Sequence, residues 1–296
     1  MTELLIAQIT DLHLGFEPRA DEPNRARLDA VIDTLLAMER APDLMLATGD
    51  LTEHGTAEAY AALNSALERC PWPVWLIPGN HDQRAPLRAA FPNIPVQGGF
   101  IHYAFDAGPL RIIMLDTLEE GRHGGSFCEA RAAWLAGELS AHPDRATLIA
   151  LHHPPIETGI GWMSADPAEP WVQRLAAVIA RHPQVVRVIA GHVHRAIMAD
   201  WGDTSVWISP STSPQVALDL RPVTDTPDGR AMIIAEPPGF SLHLWNGRSL
   251  VSHAGVADGG PVLARYTDAM QPLVQGMLDE RGAGTHSAID PLSGTL

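Results

Sequence analysis

Alternating strands and helices predict an α/β fold with largely parallel strands, closing in antiparallel hairpins. Three observations predict it. Apolar runs of strand length recur as "LLIAQIT", "DLMLATGD", "VWLIPGNHD", "LRIIMLDT", "TLIALHHPP" and "VVRVIAGHVH". Amphipathic helical stretches lie between several of them. Past about residue 196 the helices give way to strand-length runs joined by glycine turns.

After the first run, "NRARLDAVIDTLLAMER" places Leu28, Val31, Ile32, Leu35 and Leu36 on one helical face. "TAEAYAALNSALERC" follows, with Tyr60, Leu63 and Leu67 as its stripe, Thr56 as N-cap and Cys70 on the core side. "EPWVQRLAAVIARHP" carries Pro170 near its start, where a missing N–H costs nothing, and Pro183 just past its end. Val172, Leu175, Ala176 and Ile179 form its buried face. "IMADWGDTSVWIS" reads as a hairpin turning at Gly202-Asp203, and "FSLHLWNGRSLVSH" as another turning at Asn246-Gly247. "PVLARYTDAMQPLVQGMLDER" then reads as a helix that Pro272 should kink or interrupt, followed by a polar tail. Its stripe, Val262, Leu263, Tyr266, Met270, Leu273, Val274 and Met277, must cover something. That is either the chain's own body or a partner subunit, two-fold dimers being the commonest oligomers. The chain therefore divides into a body over 1–257 and an extension over 258–296.

With 296 residues, 46% hydrophobic and 19% charged, the chain can bury a large core. No apolar run reaches the roughly 18 residues a membrane span needs, and no secretory signal is readable. Cys70 and Cys128 are too few for a disulfide framework and match no metal spacing, so a reducing cytoplasm is the default location. A net charge of −15 argues against nucleic acid and anionic membranes as partners. It leaves room for a small anion, because bound divalent cations can reverse the local potential.

All but one of the six runs deliver acid-base or metal-capable groups at their C-terminal ends: Asp11 and His13, Asp50, Asn80 and His81, His152 and His153, His192 and His194. In α/β sheets the carboxyl ends of strands are where sites assemble, so residues distant in sequence can converge. A single Asp-x-His would say little; the repetition makes Asp11 and His13 candidate metal ligands.

The ordered set "DLH", "GD", "GNHD", "HHPP" and "GHVH", over residues 11 to 194, resembles the binuclear metallophosphoesterase, or calcineurin-like phosphoesterase, superfamily. "HHPPIETGIGWM" looks most like its bacterial branch of class III cyclic nucleotide phosphodiesterases and glycerophosphodiesterases. The resemblance covers roughly residues 3–255 and implies a four-layer αββα sandwich, two mixed sheets flanked by helices. It also implies two divalent transition metal ions. Asp11, His13 and His194 would hold one, Asn80, His152 and His192 the other, with Asp50 bridging. Imidazole, carboxylate and amide ligands suit Fe, Mn, Zn or Co better than magnesium. A hydroxide shared by two cations about 3.5–4 Å apart would attack the phosphorus in line. His81 would act on the departing oxygen as proton donor or as a phosphate partner, and Asp82 would orient a neighbour from behind.

For the remaining residues the readings stay divided. His153 either supports a ligand or faces substrate. Glu157, Thr158, Trp162 and Met163 form a loop beside the metals that shapes substrate choice or merely packs. His54, His102, His123, His142, His182, His243, His253 and His286 read as surface or structural, and Asp116 as structural. The expected activity is hydrolysis of a small-molecule phosphodiester, a cyclic nucleotide or a glycerophosphodiester. A phosphomonoesterase or nuclease of the same superfamily is the alternative within enzymes, and a non-catalytic interaction module is the alternative outside them. Net acidity counts against the nuclease, and the complete ligand set against the module.

Overall fold

The computed structural model describes residues 3–16 and 24–283. The chain splits into two compact units, Met1–Asp258 and Gly259–Leu296.

In the first unit the elements run β1 (Leu4–Ile9), α1 (Asn24–Leu36), β2 (Leu44–Thr48), α2 (Ala57–Leu67), β3 (Val74–Ile77), α3 (Arg84–Ala90), β4 (Tyr103–Ala107), β5 (Leu110–Met114), α4 (Glu129–Ala141), β6 (Thr147–Ala150), α5 (Pro170–Ile179), β7 (Val185–Ala190), β8 (Ile197–Trp201), β9 (Thr204–Ile208), β10 (Gln215–Val216), β11 (Ile233–Ile234), β12 (Gly239–Trp245) and β13 (Leu250–Val256). One sheet has the order β13-β12-β1-β2-β3, the other β4-β5-β6-β7-β9-β8, and β10 and β11 make a small ribbon. Within each large sheet the central pairs are parallel and the hairpin strands antiparallel.

The layers follow from side-chain alternation along the strands. In β5 and β6, Ile112, Met114, Leu148 and Ala150 join the core that also holds β1, β2, α1, α2 and Leu87 of α3. Their neighbours Ile113 and Ile149 join the core formed with α4 and α5. The two mixed sheets thus pack between two helical layers, the αββα sandwich.

Local signals act as expected at several points. The Thr56 hydroxyl accepts the Ala59 N–H at 3.2 Å, a cap worth about 1 kcal/mol. Pro170 opens α5. Cys70 packs half-buried against the first core. The β12–β13 turn differs from a two-residue Asn-Gly turn. Trp245 pairs with Leu250, so four residues form the loop, and the Asn246 side chain accepts the N–H groups of Arg248 and Ser249 at 3.0 and 2.9 Å. Strand β4 was not anticipated: its hairpin with β5 turns on Gly108 and Pro109, and Asp106 breaks its short apolar run.

In the second unit the helix α6 runs Gln271–Ala283, shorter than the sequence suggests. Pro272 lies in its first turn, where proline needs no hydrogen bond, and so starts the helix rather than kinking it. The polar tail, with His286, lies outside the described residues. No described helix is long and apolar enough to cross a membrane.

Candidate metal centre

The loops after β1, β2, β3, β6 and β7 turn sharply enough to aim their side chains at one point. Asp11, His13, Asp50, His192 and His194 all have positive φ, between 46° and 72°. Among the described non-glycine residues only Asp258 shares that conformation, which L-residues with a Cβ rarely adopt. Glycines make room. A Cβ on Gly79 would lie 2.2 Å from Asp50 Oδ1, and one on Gly191 would lie 1.9 Å from Thr10 Oγ1 and 2.9 Å from Asp11 Oδ2. The glycines of "GNHD" and "GHVH" therefore leave space for ligands on other strands.

The fully buried Asp82 locks two of these loops together. It accepts the N–H groups of Leu51, Thr52 and Gly79 at 3.0, 3.1 and 2.9 Å and the Tyr60 hydroxyl at 2.9 Å. The Asp50 backbone carbonyl takes the N–H groups of Leu12 and His13 at 2.8 and 3.0 Å, tying the first loop to the second.

Four groups of potential ligand atoms have members within 4.8 Å of one another: Asp11, His13 and His194; Asp11, Asp50 and His152; His13, Asp50 and His81; His152, His153 and His192. Asp50 Oδ2 lies 3.6 Å from His13 Nε2 and 3.2 Å from His152 Nε2, between the two halves. Asn80 Oδ1 lies 3.2 Å from His152 Nε2 and 3.0 Å from His192 Nδ1.

Hydrogen bonds on the far side of the rings test whether cations fit. His13 Nδ1 donates to Glu53 Oε2 at 2.5 Å and His194 Nδ1 to the Pro214 carbonyl at 2.8 Å. Each Nε2 is thereby turned inward, and the two face each other at 3.2 Å, with Asp11 Oδ1 3.3 Å from that of His194. His152 repeats the arrangement. Its Nδ1 donates to the Thr48 carbonyl at 2.8 Å, and its Nε2 turns inward, 3.2 Å from both Asn80 Oδ1 and Asp50 Oδ2. Buried carboxylates ringed by inward-turned imidazole nitrogens need positive charge among them, and the donor set fits a metal cation in each half.

The electrostatics show the same demand for positive charge: against the burial of both rings, Asp50 pushes His152 up to about 9 and Asp11 raises His194. Burial would raise the Asp50 pKa, but His152 and His13 outweigh it and hold the carboxyl well below the usual range. His194 and His152 do the same for Asp11 against its burial. Glu53 is pulled down to about 2, with burial opposing and bonds from His13 and His81 prevailing. Burial first, then neighbouring histidines, push His192 and His153 well below the ordinary imidazole range.

His81 lies beside His13 and Asp50 at the edge of the site. Its backbone N–H donates to Asp50 Oδ1 at 2.9 Å and its Nδ1 to the Glu53 carbonyl at 3.2 Å, leaving Nε2 free. It borders a cavity of about 210 Å³ floored by His13, Asp50, His192 and His194. Phe16, Trp162, Met163, Val216 and Ile233 make its apolar wall. Trp162 and Met163 thus border the site, while Glu157 and Thr158 do not reach this cavity, and His153 lies behind it, 2% exposed.

Two titratable residues of the site were not read as part of it from the sequence. Glu53, three positions after Asp50, braces His13 and His81; a carboxylate close behind a ligand motif is the available signal. His123, read as surface or structural, reaches the cavity instead. Its ring lies 4.7 Å from that of His192, and its Nδ1 is 3.5 Å from Asn80 Nδ2. No motif surrounds it, because the β5–α4 loop that carries it is placed by tertiary contacts. Asp116 is structural as expected, buried beneath the Arg84 guanidinium at 2.7 and 2.8 Å. Of the other histidines, His102 stacks on Trp134 and His243 is buried between Gln8 and Ser252, both structural.

The chain is 31% identical over 247 residues to a probable glycerophosphodiester phosphodiesterase of Arcobacter nitrofigilis, covering 82% of this chain and 89% of that one. It is 34% identical over 234 residues to a probable cyclic nucleotide phosphodiesterase of a Synechococcus strain, covering 76% and 89%. A dimetal phosphatase from Danio rerio has the same fold, with a TM-score of 0.57 at 16% identity over 86% of this chain and 99% of that one. The model of one family, described as calcineurin-like phosphoesterase, matches residues 4–196, which include every strand-end motif. The chain belongs to the calcineurin-like phosphoesterase family.

Proposed function

We propose that the protein is a phosphodiesterase that hydrolyses a small-molecule phosphodiester at a binuclear metal centre. The observation that carries this reading is the pair of imidazole nitrogens, Nε2 of His13 and of His194, facing each other 3.2 Å apart beside Asp11. Asp11, His13 and His194 would hold one ion and Asn80, His152 and His192 the other, with Asp50 between them. Imidazole, carboxylate and carboxamide donors suit Fe, Mn, Zn or Co. Two such ions would offset charge on the phosphoryl oxygens and lower the pKa of an attacking water.

The chain's own residues do the rest. His81 presents Nε2 to the cavity, where it can give a proton to the departing alkoxide, and Glu53 holds its other nitrogen. Glu53 also keeps His13 in the tautomer that offers Nε2 inward. The apolar wall shields the reacting ester from bulk water and contacts its organic group. A diester has two organic arms to place, and the wall gives one of them a surface. The candidate substrates are 3′,5′-cyclic nucleotides and glycerophosphodiesters, the activities named for its relatives.

The test is metal analysis of the purified protein combined with a panel of cyclic nucleotides, glycerophosphodiesters, aryl diesters and monoesters. Two metal equivalents and a preference for diesters are expected. A metal-free protein that hydrolyses the panel at full rate, or one acting on monoesters alone, would refute the proposal.

A further inference from the structure

Three of the four candidate ligand histidines pass their outer ring nitrogen to a protein acceptor: His13 to Glu53, His152 to the Thr48 carbonyl, His194 to the Pro214 carbonyl. Such an outer bond fixes the tautomer and aims the inner lone pair. His192 departs from this. Its Nδ1 faces Asn80 Oδ1 at 3.0 Å, so Nε2 is its outer nitrogen, and no described side chain or carbonyl accepts from it.

Beside it lies the complementary irregularity. His153 is buried, its Nδ1 lies 2.8 Å from Thr117 Oγ1, and its Nε2 is buried without a partner. The two rings are 4.9 Å apart, centroid to centroid. One potential ligand atom each from His152, His153 and His192 falls within 4.8 Å of the others. His153 and His192 also border a cavity of about 50 Å³, with Met163 and Trp171 on its far side. A buried polar atom without a partner calls for one, and a cavity of this size holds a water.

We propose that Thr117 and His153 are the outer partner of His192, joined to its Nε2 through a water in this cavity. The Thr117 hydroxyl fixes the His153 ring from two sides, bonding Nδ1 and accepting the backbone N–H at 3.3 Å. The water accepts from His192 Nε2–H, which leaves His192 Nδ1 as the lone pair turned toward Asn80. His153 is thus a positioning residue for the second metal position. This rests on the binuclear reading above. It accounts for the second histidine of "HHPP" as a residue that acts through another.

The experiment is competition of the metal-loaded full-length protein, as its Mn²⁺ or Zn²⁺ form, against a chromophoric chelator. Wild type is compared with His153→Phe, which fills the space without a polar atom, His153→Gln, which restores one, and Thr117→Val. The first equivalent should hold as in wild type. The second should weaken about 10–100-fold in His153→Phe, with partial recovery in His153→Gln and an intermediate loss in Thr117→Val. Unchanged affinity for both equivalents in His153→Phe would overturn the proposal. So would an equal weakening of both, which is what a general loss of structure produces. His192→Ala is the control: if it still binds two equivalents at full affinity, the binuclear reading itself fails, whatever His153 does.

Discussion

The floor and the wall of the cavity are built on opposite terms. The floor comes from strand ends of both sheets, six of its seven candidate ligands are buried, and His13, His152 and His194 each have an outer hydrogen-bond partner. The wall comes from a one-turn helix at Gly161–Met163, the β10–β11 ribbon and Phe16, with Phe16 and Ile233 about half exposed. The floor's chemistry permits few residue types at each point, whereas the wall asks only for apolar surface of suitable shape. Reaction type is thus fixed where substitution is hardest, and substrate choice where it is easiest.

The largest effect should follow removal of the bridge. Asp50→Ala takes away the carboxylate between His13 and His152 and is expected to abolish turnover and release at least one metal equivalent. Metal analysis with a diesterase assay checks this, and full metal with normal turnover would break the distinction at its centre.

His81→Ala comes next. It should keep both metals and lower kcat by about 10²–10⁴-fold on alkyl diesters. The loss should shrink on p-nitrophenyl diesters, whose leaving group needs little protonation. Equal losses on both would remove the proton-donor role.

On the wall, Trp162→Ala should leave metal content intact and change kcat/KM for one class of diester relative to another by roughly 10-fold or more, the range of an altered apolar contact. A uniform drop across the substrate panel would place Trp162 with the floor instead. The smallest effect is expected from ending the chain near Asp258. No candidate ligand lies beyond it, so metals and diesterase activity should persist, while thermal stability or oligomeric state, read by light scattering, changes. Loss of metal with an unchanged oligomer would contradict that division.

The same contrast governs what the sequence could tell. Asp11, Asp50, Asn80 and the histidine pairs were legible because each follows an apolar strand and offers a donor that few residues supply. The sandwich was legible through that alternation and the family resemblance. Glu53 was hidden among 35 acidic residues, since its role is set by contact with His13 rather than by its neighbours in sequence. His123 was hidden for a related reason: the Arg131 guanidinium bonds the Asp116 and Leu118 carbonyls, both at 3.1 Å, and holds the loop that carries it. Val216 and Ile233 meet only through the β10–β11 pairing, which two-residue strands do not announce. Pro272 was visible, but whether a proline starts or breaks a helix depends on where the first turn falls.

The left-handed backbone at Asp11, His13, Asp50, His192 and His194 bears on transplanting this site. Each such L-residue costs about 1–2 kcal/mol, so the five together approach the 5–15 kcal/mol net stability of a whole domain. Copying the seven ligands onto another scaffold would import that cost without the two sheets and the Asp82 clamp that bear it. The portable unit is therefore the double sheet with its strand ends, and a grafted motif should relax out of register before any metal arrives.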